Sequence, residues 1–367
     1  MQTIVESACL LHDIGNPPFG HFGEEAIKRW FRDRGPKLLK QLGEELLPET
    51  DDPRLSDFRM FDGNPQGFRI ATRLHCDVDF FSLNLTYSTL LASVKYPNSG
   101  VIAKDALFPK KLGIFSSEKA VYDEICHRCG VSPGRRYFLA YLMELADDIC
   151  YCLSDIADSF EKRITTSREF KEDIKKICAE NDVDPNSILP KEKIENFGQQ
   201  VSIRIARQII EEATDHFSSN LERYVDGNAK ELSEEIPSGR ILKCFKTFAR
   251  RFIYTYDEAQ RIEIAGSQIV EGLLTHFGRL LELSRDDFAY FVEQGEMRKG
   301  SGLDLEWRIY NQLSKRMLRV YQETTRNATD SAELIARARL IVDYISGLTD
   351  NSALRFYQNF MGIRLQF

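Results

Sequence analysis

Apolar residues recur at three- and four-residue intervals through most of this chain, for ten or more positions at a time. The segments are 3–14, 22–34, 67–94, 117–128, 136–162, 168–180, 197–225, 238–253, 257–282, 303–325 and 329–347. That spacing gathers apolar side chains on one face of a helix, so each segment predicts a helix. Few segments alternate with period two, and strands are not expected. Between the periodic segments stand GNPP (15–18), DGNPQG (62–67), KYPNSG (95–100), FPKKLG (108–113) and GVSPG (130–134). Their Gly, Pro and Asn residues mark turns. The pattern predicts an all-α protein with a core at 1–165 and a helical C-terminal part, 166–367, packed on the same domain. Polar stretches near 182–196 and 226–238 read as insertions.

Two segments depart from simple amphipathicity. FLAYLMELADDICYCLSDIADSF (138–160) is apolar on most of its circumference, as buried helices are, yet it carries Glu144, Asp147, Asp148, Tyr151, Asp155 and Asp158. Asp147, Tyr151 and Asp155 fall at i, i+4 and i+8 and share one face, stacked over about 12 Å. Carboxylates on such a helix need a cation, a donor or water to offset desolvation, unless the stripe is simply a solvent edge. The second segment is LLHDIGNPPFGHFGEEA (10–26). Here His12 and Asp13 end a helix of otherwise core-like residues, and a Pro-Gly turn presents His21 three residues ahead of Glu24. Alone, a buried histidine is an ordinary hydrogen-bonded core residue. Together with an acidic stripe elsewhere, an adjacent His-Asp pair is what a mixed nitrogen and oxygen divalent site requires.

Composition narrows the classes. The 367 residues are 43% hydrophobic and 29% charged, the balance of a soluble globular protein. A net charge of -7 argues against nucleic acid as the default partner of the whole chain. The basic clusters KRWFRDRGPKLLK (28–40) and KCFKTFARRF (243–252) read most plainly as solvated helix faces, with contact to single-stranded DNA as the alternative they hold open. No apolar run approaches the ~18 residues of a membrane span, and no signal-peptide pattern opens the chain, so a cytoplasmic protein is expected. Eight scattered cysteines look like reduced core residues. CHRC (126–129) has zinc-like spacing but lacks a second pair to complete four ligands.

HDIGNPPFGHFGEEAI, LADDICYCLSD and the late VDYISGLTD (342–350) resemble the HD-domain deoxynucleoside triphosphate triphosphohydrolases, specifically the bacterial dGTPases. The resemblance runs from about residue 3 to the C-terminus, and NPPFGHFGE is its most specific part. It implies an HD-domain helical core with additional C-terminal helices, a homo-oligomer, and a divalent ion, Mg2+ or Mn2+, held by a quartet in the order H, HD, D. His12 and Asp13 match the central pair and Asp147 the final aspartate. His21 and Glu24 match a catalytic histidine and its carboxylate partner. Asn64 matches an active-site asparagine, and Lys95, Tyr96 and Lys111 match residues at the triphosphate. Tyr151 and Asp155 match the pair that packs on the deoxyribose and accepts its 3'-hydroxyl, and Arg204 would line the same pocket. The implied reaction is hydrolysis of dGTP, and of other dNTPs, to the nucleoside and inorganic triphosphate. The family's first metal histidine lies upstream of the pair, and none of the eleven residues before His12 is a histidine. From that departure we expect either an N-terminally incomplete chain or a decayed family site, poorly metallated and weakly active or inactive. Two alternatives keep the same motif: a non-catalytic nucleotide-binding or assembly protein, and an HD phosphodiesterase or nuclease acting on nucleic acid.

Overall fold

A computed structural model describes residues 1–40, 53–76, 79–100, 102, 107–109, 111–189 and 197–363. Helices follow one another along the chain: α1 Gln2–Leu11, α2 His21–Lys40, α3 Pro53–Arg59, α4 Gly63–Arg69, α5 Tyr87–Ala92, α6 Lys119–Cys129 and α7 Phe138–Glu161. They continue with α8 Ser167–Glu180, α9 Pro185–Ile188, α10 Phe197–Ser219, α11 Leu221–Val225, α12 Leu232–Glu235, α13 Gly239–Phe248 and α14 Asp257–Gly278. The last are α15 Arg285–Gln294, α16 Asp304–Tyr310, α17 Lys315–Thr325, α18 Asp330–Ser346 and α19 Asp350–Phe360. Extended pairing among the described residues amounts to an isolated bridge between Ser99 and Ile114. The protein is all-α, as the periodicity predicts, and no described helix is long and apolar enough to cross a membrane.

Three predicted segments change shape for local reasons. The 67–94 pattern is not one helix: α4 runs into a π-helical turn at Ile70–Leu74, and the chain then leaves the helix until α5. Ser82 and Asn84 adopt positive φ there, and the Ser82 hydroxyl donates to the Ile70 carbonyl while accepting from the His75 amide, which closes the helix end. The 303–325 pattern breaks at 311–314 into α16 and α17. Conversely α2 continues past the Gly35-Pro36 pair to Lys40. Pro36, Leu38 and Leu39 are buried, and Leu55 of α3 lies so close to Gly35 that a Cβ there would stand 2.9 Å from it. Tertiary burial overrides the stop signal. Helices α3, α9, α12, α15 and α19 lie outside the predicted segments; Ser284 and Thr349 cap the last two by accepting from the amides of Asp287 and Ser352. Part of the expected 182–196 insertion, 190–196, lies outside the described residues.

The chain divides into two compact units interleaved in sequence. The first unit is Met1–Leu10, Tyr87–Lys95 and Ile125–Arg261; the second is Leu11–Thr86, Tyr96–Glu124 and Ile262–Phe367. In the first unit α7 is the central element, packed on α5, α10 and α13. Ala8, Ala92, Leu139 and Met143 form a small buried cluster that fixes α1 and α5 to its N-terminal half. In the second unit α2 supplies Ala26, Ile27, Trp30 and Phe31 to the core, at the three- and four-residue spacing of the prediction. Phe31 stacks on Phe58 of α3 with ring centroids 4.3 Å apart. Each such aromatic burial contributes on the order of 2–3 kcal/mol. The second unit also buries charge. Arg69 forks onto Asp343 and reaches Glu118 at 2.5 Å, and Arg339 binds Asp57 at 2.9 Å. These pairs are costly to desolvate and costlier to break singly.

Candidate active site

In the second unit, His12 and Asp13 follow the end of α1, and the chain then turns through GNPPFG into α2. His12 Nε2 lies 3.1 Å from Asp13 Oδ2, while the Asn16 side-chain amide donates to Asp13 Oδ1 at 2.9 Å. The turn is pressed against the N-terminus of α4. A Cβ on Gly15 would stand 2.1 Å from the Gly63 carbonyl oxygen and from the Gly67 amide nitrogen, and a Cβ on Gly63 would stand 2.1 Å from Asn16 Oδ1. Only glycine permits this approach. At the apex Phe19 has φ 62° and Gly20 φ 55°. The left-handed phenylalanine, a conformation that costs about 1–2 kcal/mol, is held by its amide donating to Asp350 Oδ1 at 2.9 Å.

That turn delivers His21 to the first position of α2. Its Nδ1 lies 3.1 Å from Glu24 Oε2, and Glu24 Oε1 accepts the Gly63 amide at 2.8 Å. Glu24 is 3% exposed whereas the imidazole is largely open to solvent. The carboxylate is thus fixed from two sides and fixes the ring in turn. Its hydrogen bond holds His21 above the ordinary imidazole value, against the opposing effect of burial. Beside it, Asp62 caps α4 by accepting the Asn64 amide at 3.0 Å; it also accepts the Asn64 side chain at 2.6 Å and pairs with Lys111 at 2.6 Å. Asn64 and Lys111 therefore meet on one buried aspartate. Tyr96 is half-buried in the same unit.

In the first unit α7 sorts its acidic residues by partner. Asp147 pairs with Lys95, whose ammonium also lies 3.7 Å from Glu144. Asp148 turns to a different face and pairs with Lys246 of α13 at 2.7 Å. Burial pushes the Lys246 ammonium down, but the charge and hydrogen bond of Asp148, with smaller help from Cys152 and Glu231, together hold it above its ordinary value. Two turns further on, the Tyr254 hydroxyl bonds to Asp155 and lies 2.9 Å from the Tyr151 hydroxyl. Burial raises the Asp155 carboxyl above its ordinary value even though the Tyr254 bond works to lower it. Arg204 is engaged elsewhere: from α10 it donates to the carbonyls of Ser187, at 2.9 Å, and Ile188.

Asn16, Asp62 and Tyr254 hold candidate site residues and Lys246 holds the neighbouring Asp148, and the sequence pattern singled out none of the four. Asn16 and Asp62 lie inside turns that were recognised as turns only. Lys246 belongs to a basic cluster read as a solvated face. Tyr254 has no local signal at all.

The comparisons with known proteins agree with the motif. Residues 306–359 match the family described as the phosphohydrolase-associated domain. A probable deoxyguanosinetriphosphate triphosphohydrolase of Pseudomonas aeruginosa is 30% identical, with 98% of this chain and 77% of that protein aligned. The deoxyguanosinetriphosphate triphosphohydrolase of Serratia proteamaculans is 31% identical over 98% and 78%, and that of Salmonella schwarzengrund 30% over 99% and 79%. The chain belongs to the deoxyguanosinetriphosphate triphosphohydrolase family. It is a hydrolase of the HD-domain class, and the phosphohydrolase-associated match takes in α17, α18 and most of α19, the helices that carry Arg339, Asp343 and Asp350.

Proposed function

We propose that this protein hydrolyses dGTP to deoxyguanosine and inorganic triphosphate, by water attack at the α-phosphorus with the 5'-oxygen leaving. The observation that carries the reading is His21 held at Nδ1 by a buried, doubly anchored Glu24, in a chain aligned almost end to end with proteins of that name. A histidine whose proton is retained toward neutral pH is suited to donate it to the departing 5'-oxygen, and Glu24 orients the ring and stabilises its charged form.

The donor set suits a hard divalent ion. Two neighbouring ligands of an octahedral Mg2+ or Mn2+ stand about 3 Å apart when each bond is about 2.1 Å. His12 Nε2 and Asp13 Oδ2 already have that separation, with Asp13 steadied by Asn16. His12, Asp13 and Asp147 would hold the ion, and when bound it supplies Lewis acidity at the α-phosphate. The remaining roles belong to the chain's own side chains. Lys95 and Lys111 neutralise the phosphates, which an acidic protein needs local cations to hold. Asn64, fixed by Asp62, and Tyr96 complete that side. Asp155 accepts the 3'-hydroxyl, and Tyr151 beneath the sugar crowds C2' and disfavours ribose. Arg204, tied to the Ser187 and Ile188 carbonyls, lines the same pocket from α10. The active form is a homo-oligomer.

The test is release of inorganic triphosphate from dGTP with Mg2+ or Mn2+ present. His21→Ala is expected to lower turnover by about two to four orders of magnitude while leaving nucleotide affinity within a few-fold. Pyrophosphate or orthophosphate as the first product, or cleavage of oligonucleotides in preference to dGTP, would overturn the assignment.

A further inference from the structure

The second unit contains a cavity of about 300 Å³ among α3, the π-helical turn Ile70–Leu74, α17 and α18. None of the residues assigned above to the reaction lines it. Its charged lining is Arg54, Arg69, Arg73 and Arg339 against Asp57 and Asp343, with Glu118 just behind Arg69. Four guanidinium groups against three carboxylates leave an excess of positive charge.

The arginines differ in what they have left to give. Arg69 is spent: its nitrogens donate to Asp343 and Glu118. Arg339 is 6% exposed and lies flat between the Phe58 and Phe115 rings, at 4.4 and 4.1 Å from their centroids. Its Nη2 donates to Asp57, but its Nη1 is buried with no hydrogen-bond partner among the described residues. A buried unpaired donor costs about 1–3 kcal/mol, so such a group marks a place for an acceptor. Arg73 is partly exposed and weakly engaged, 3.5 Å from the Thr324 hydroxyl and 4.0 Å from Glu118. Apolar lining comes from Val320 of α17 and from Ile335 and Ala336, which stand one turn before Arg339 on the same face of α18.

Two under-used guanidiniums beside an apolar stretch of lining, in a cavity of ligand size, fit one chemical class. We propose that this cavity binds a small phosphomonoester whose head meets Arg339 and Arg73 and whose apolar or aromatic body lies against α17 and α18. A phosphate head offers three acceptor oxygens and one to two charges, enough to satisfy Arg339 Nη1 and to fork onto Arg73 at once. A carboxylate offers only two oxygens in one plane. The ligand would tie the π-helical turn after α4 to α17 and α18, and binding to the folded state alone raises its stability.

Calorimetric titration of the full chain with phenyl phosphate tests this. The expected result is one saturable site with an affinity of about millimolar or tighter, at least about tenfold weaker for inorganic phosphate, which lacks the body, and for benzoate, which lacks the head. Ala336→Phe, which fills the apolar end, and Arg73→Ala, which removes a partly exposed donor, should each weaken binding about tenfold or more. Lys111→Ala, which removes a cation assigned above to the substrate phosphates, should leave it unchanged. Absence of binding would overturn the proposal. So would affinity retained in both cavity variants, affinity lost in Lys111→Ala, or benzoate binding as tightly as phenyl phosphate. The two cavity variants act by filling and by truncation, so a folding defect in one leaves the other decisive.

Discussion

The turn that carries His21 and the acidic stripe of α7 solve the same problem in opposite ways. Around His21, residues 12–24 and 62–64 lie close because Gly15 and Gly63 let the two turns press together, and the carboxylate that matters is anchored by a main-chain amide. Along α7 the carboxylates share one rigid helix, and each is matched by a side chain from far along the sequence: Lys95 for Asp147, Lys246 for Asp148, Tyr254 for Asp155. The first arrangement is built by backbone conformation and is intolerant of added atoms. The second is built by charge pairing and can be dissected one pair at a time.

The largest expected contrast is between adjacent aspartates. Asp147→Ala should abolish binding of Mn2+ as followed by its EPR signal, because it removes a proposed ligand. Asp148→Ala should leave Mn2+ binding in place and lower stability by about 1 kcal/mol or less, since the partnered Lys246 is partly solvated. Equal loss of metal in both variants would erase the distinction between the two faces of α7. On the other side of the comparison, Asn16→Ala frees the Asp13 carboxylate from its orienting amide and should weaken Mn2+ binding about 10- to 100-fold. No change there would show that the turn positions Asp13 without the side-chain contact.

These contrasts also explain what could be read from sequence. HDIGNPPFGHFGEE is legible because its parts are neighbours in sequence: the glycines, the prolines and the His21–Glu24 spacing encode the turn and the relay within a few residues. The face shared by Asp147, Tyr151 and Asp155 is legible because helical periodicity is local. The partners are not. Tyr254 stands about a hundred positions from Asp155, and nothing in RRFIYTYDE marks it. The late motif was legible as a motif but not as to its purpose: Asp343 answers the buried Arg69, and Asp350 holds the strained amide of Phe19. The break of 67–94 escaped notice because the apolar pattern continues across a turn set by Ser82 and Asn84.

A smaller effect isolates the electrostatic part of the relay. The Glu24 hydrogen bond holds the His21 proton above the ordinary imidazole value, which is about 6.5. If His21 donates that proton, kcat falls as pH rises through its pKa. Glu24→Gln keeps a hydrogen-bonding shape but removes the charge, so the alkaline limb of the kcat profile should move to lower pH. The variant should come nearest to the wild type on the acid side and lose progressively more as pH increases. A limb that stays in place would assign the alkaline fall to another group.

The smallest effect is expected at Tyr254, and it tests whether the α7 stripe recognises the sugar. Burial raises the Asp155 carboxyl, the Tyr254 bond opposes that rise, and the ionised carboxylate is the stronger acceptor of a 3'-hydroxyl. Tyr254→Phe deletes one hydrogen bond worth about 0.5–1.5 kcal/mol, so KM for dGTP should rise about two- to tenfold with kcat little changed. The rise should be steepest at acid pH, because the Asp155 pKa moves further up and a larger share of the enzyme carries the neutral acid. The contrast that decides the matter uses 2',3'-dideoxyguanosine triphosphate, which has no hydroxyl for Asp155 to accept. Its KM should be higher than that of dGTP in the wild type and nearly indifferent to Tyr254→Phe. Equal sensitivity of both nucleotides would mean that Tyr254 supports the packing of the π-helical turn Ala249–Ile253 against α7 and not the contact with the sugar.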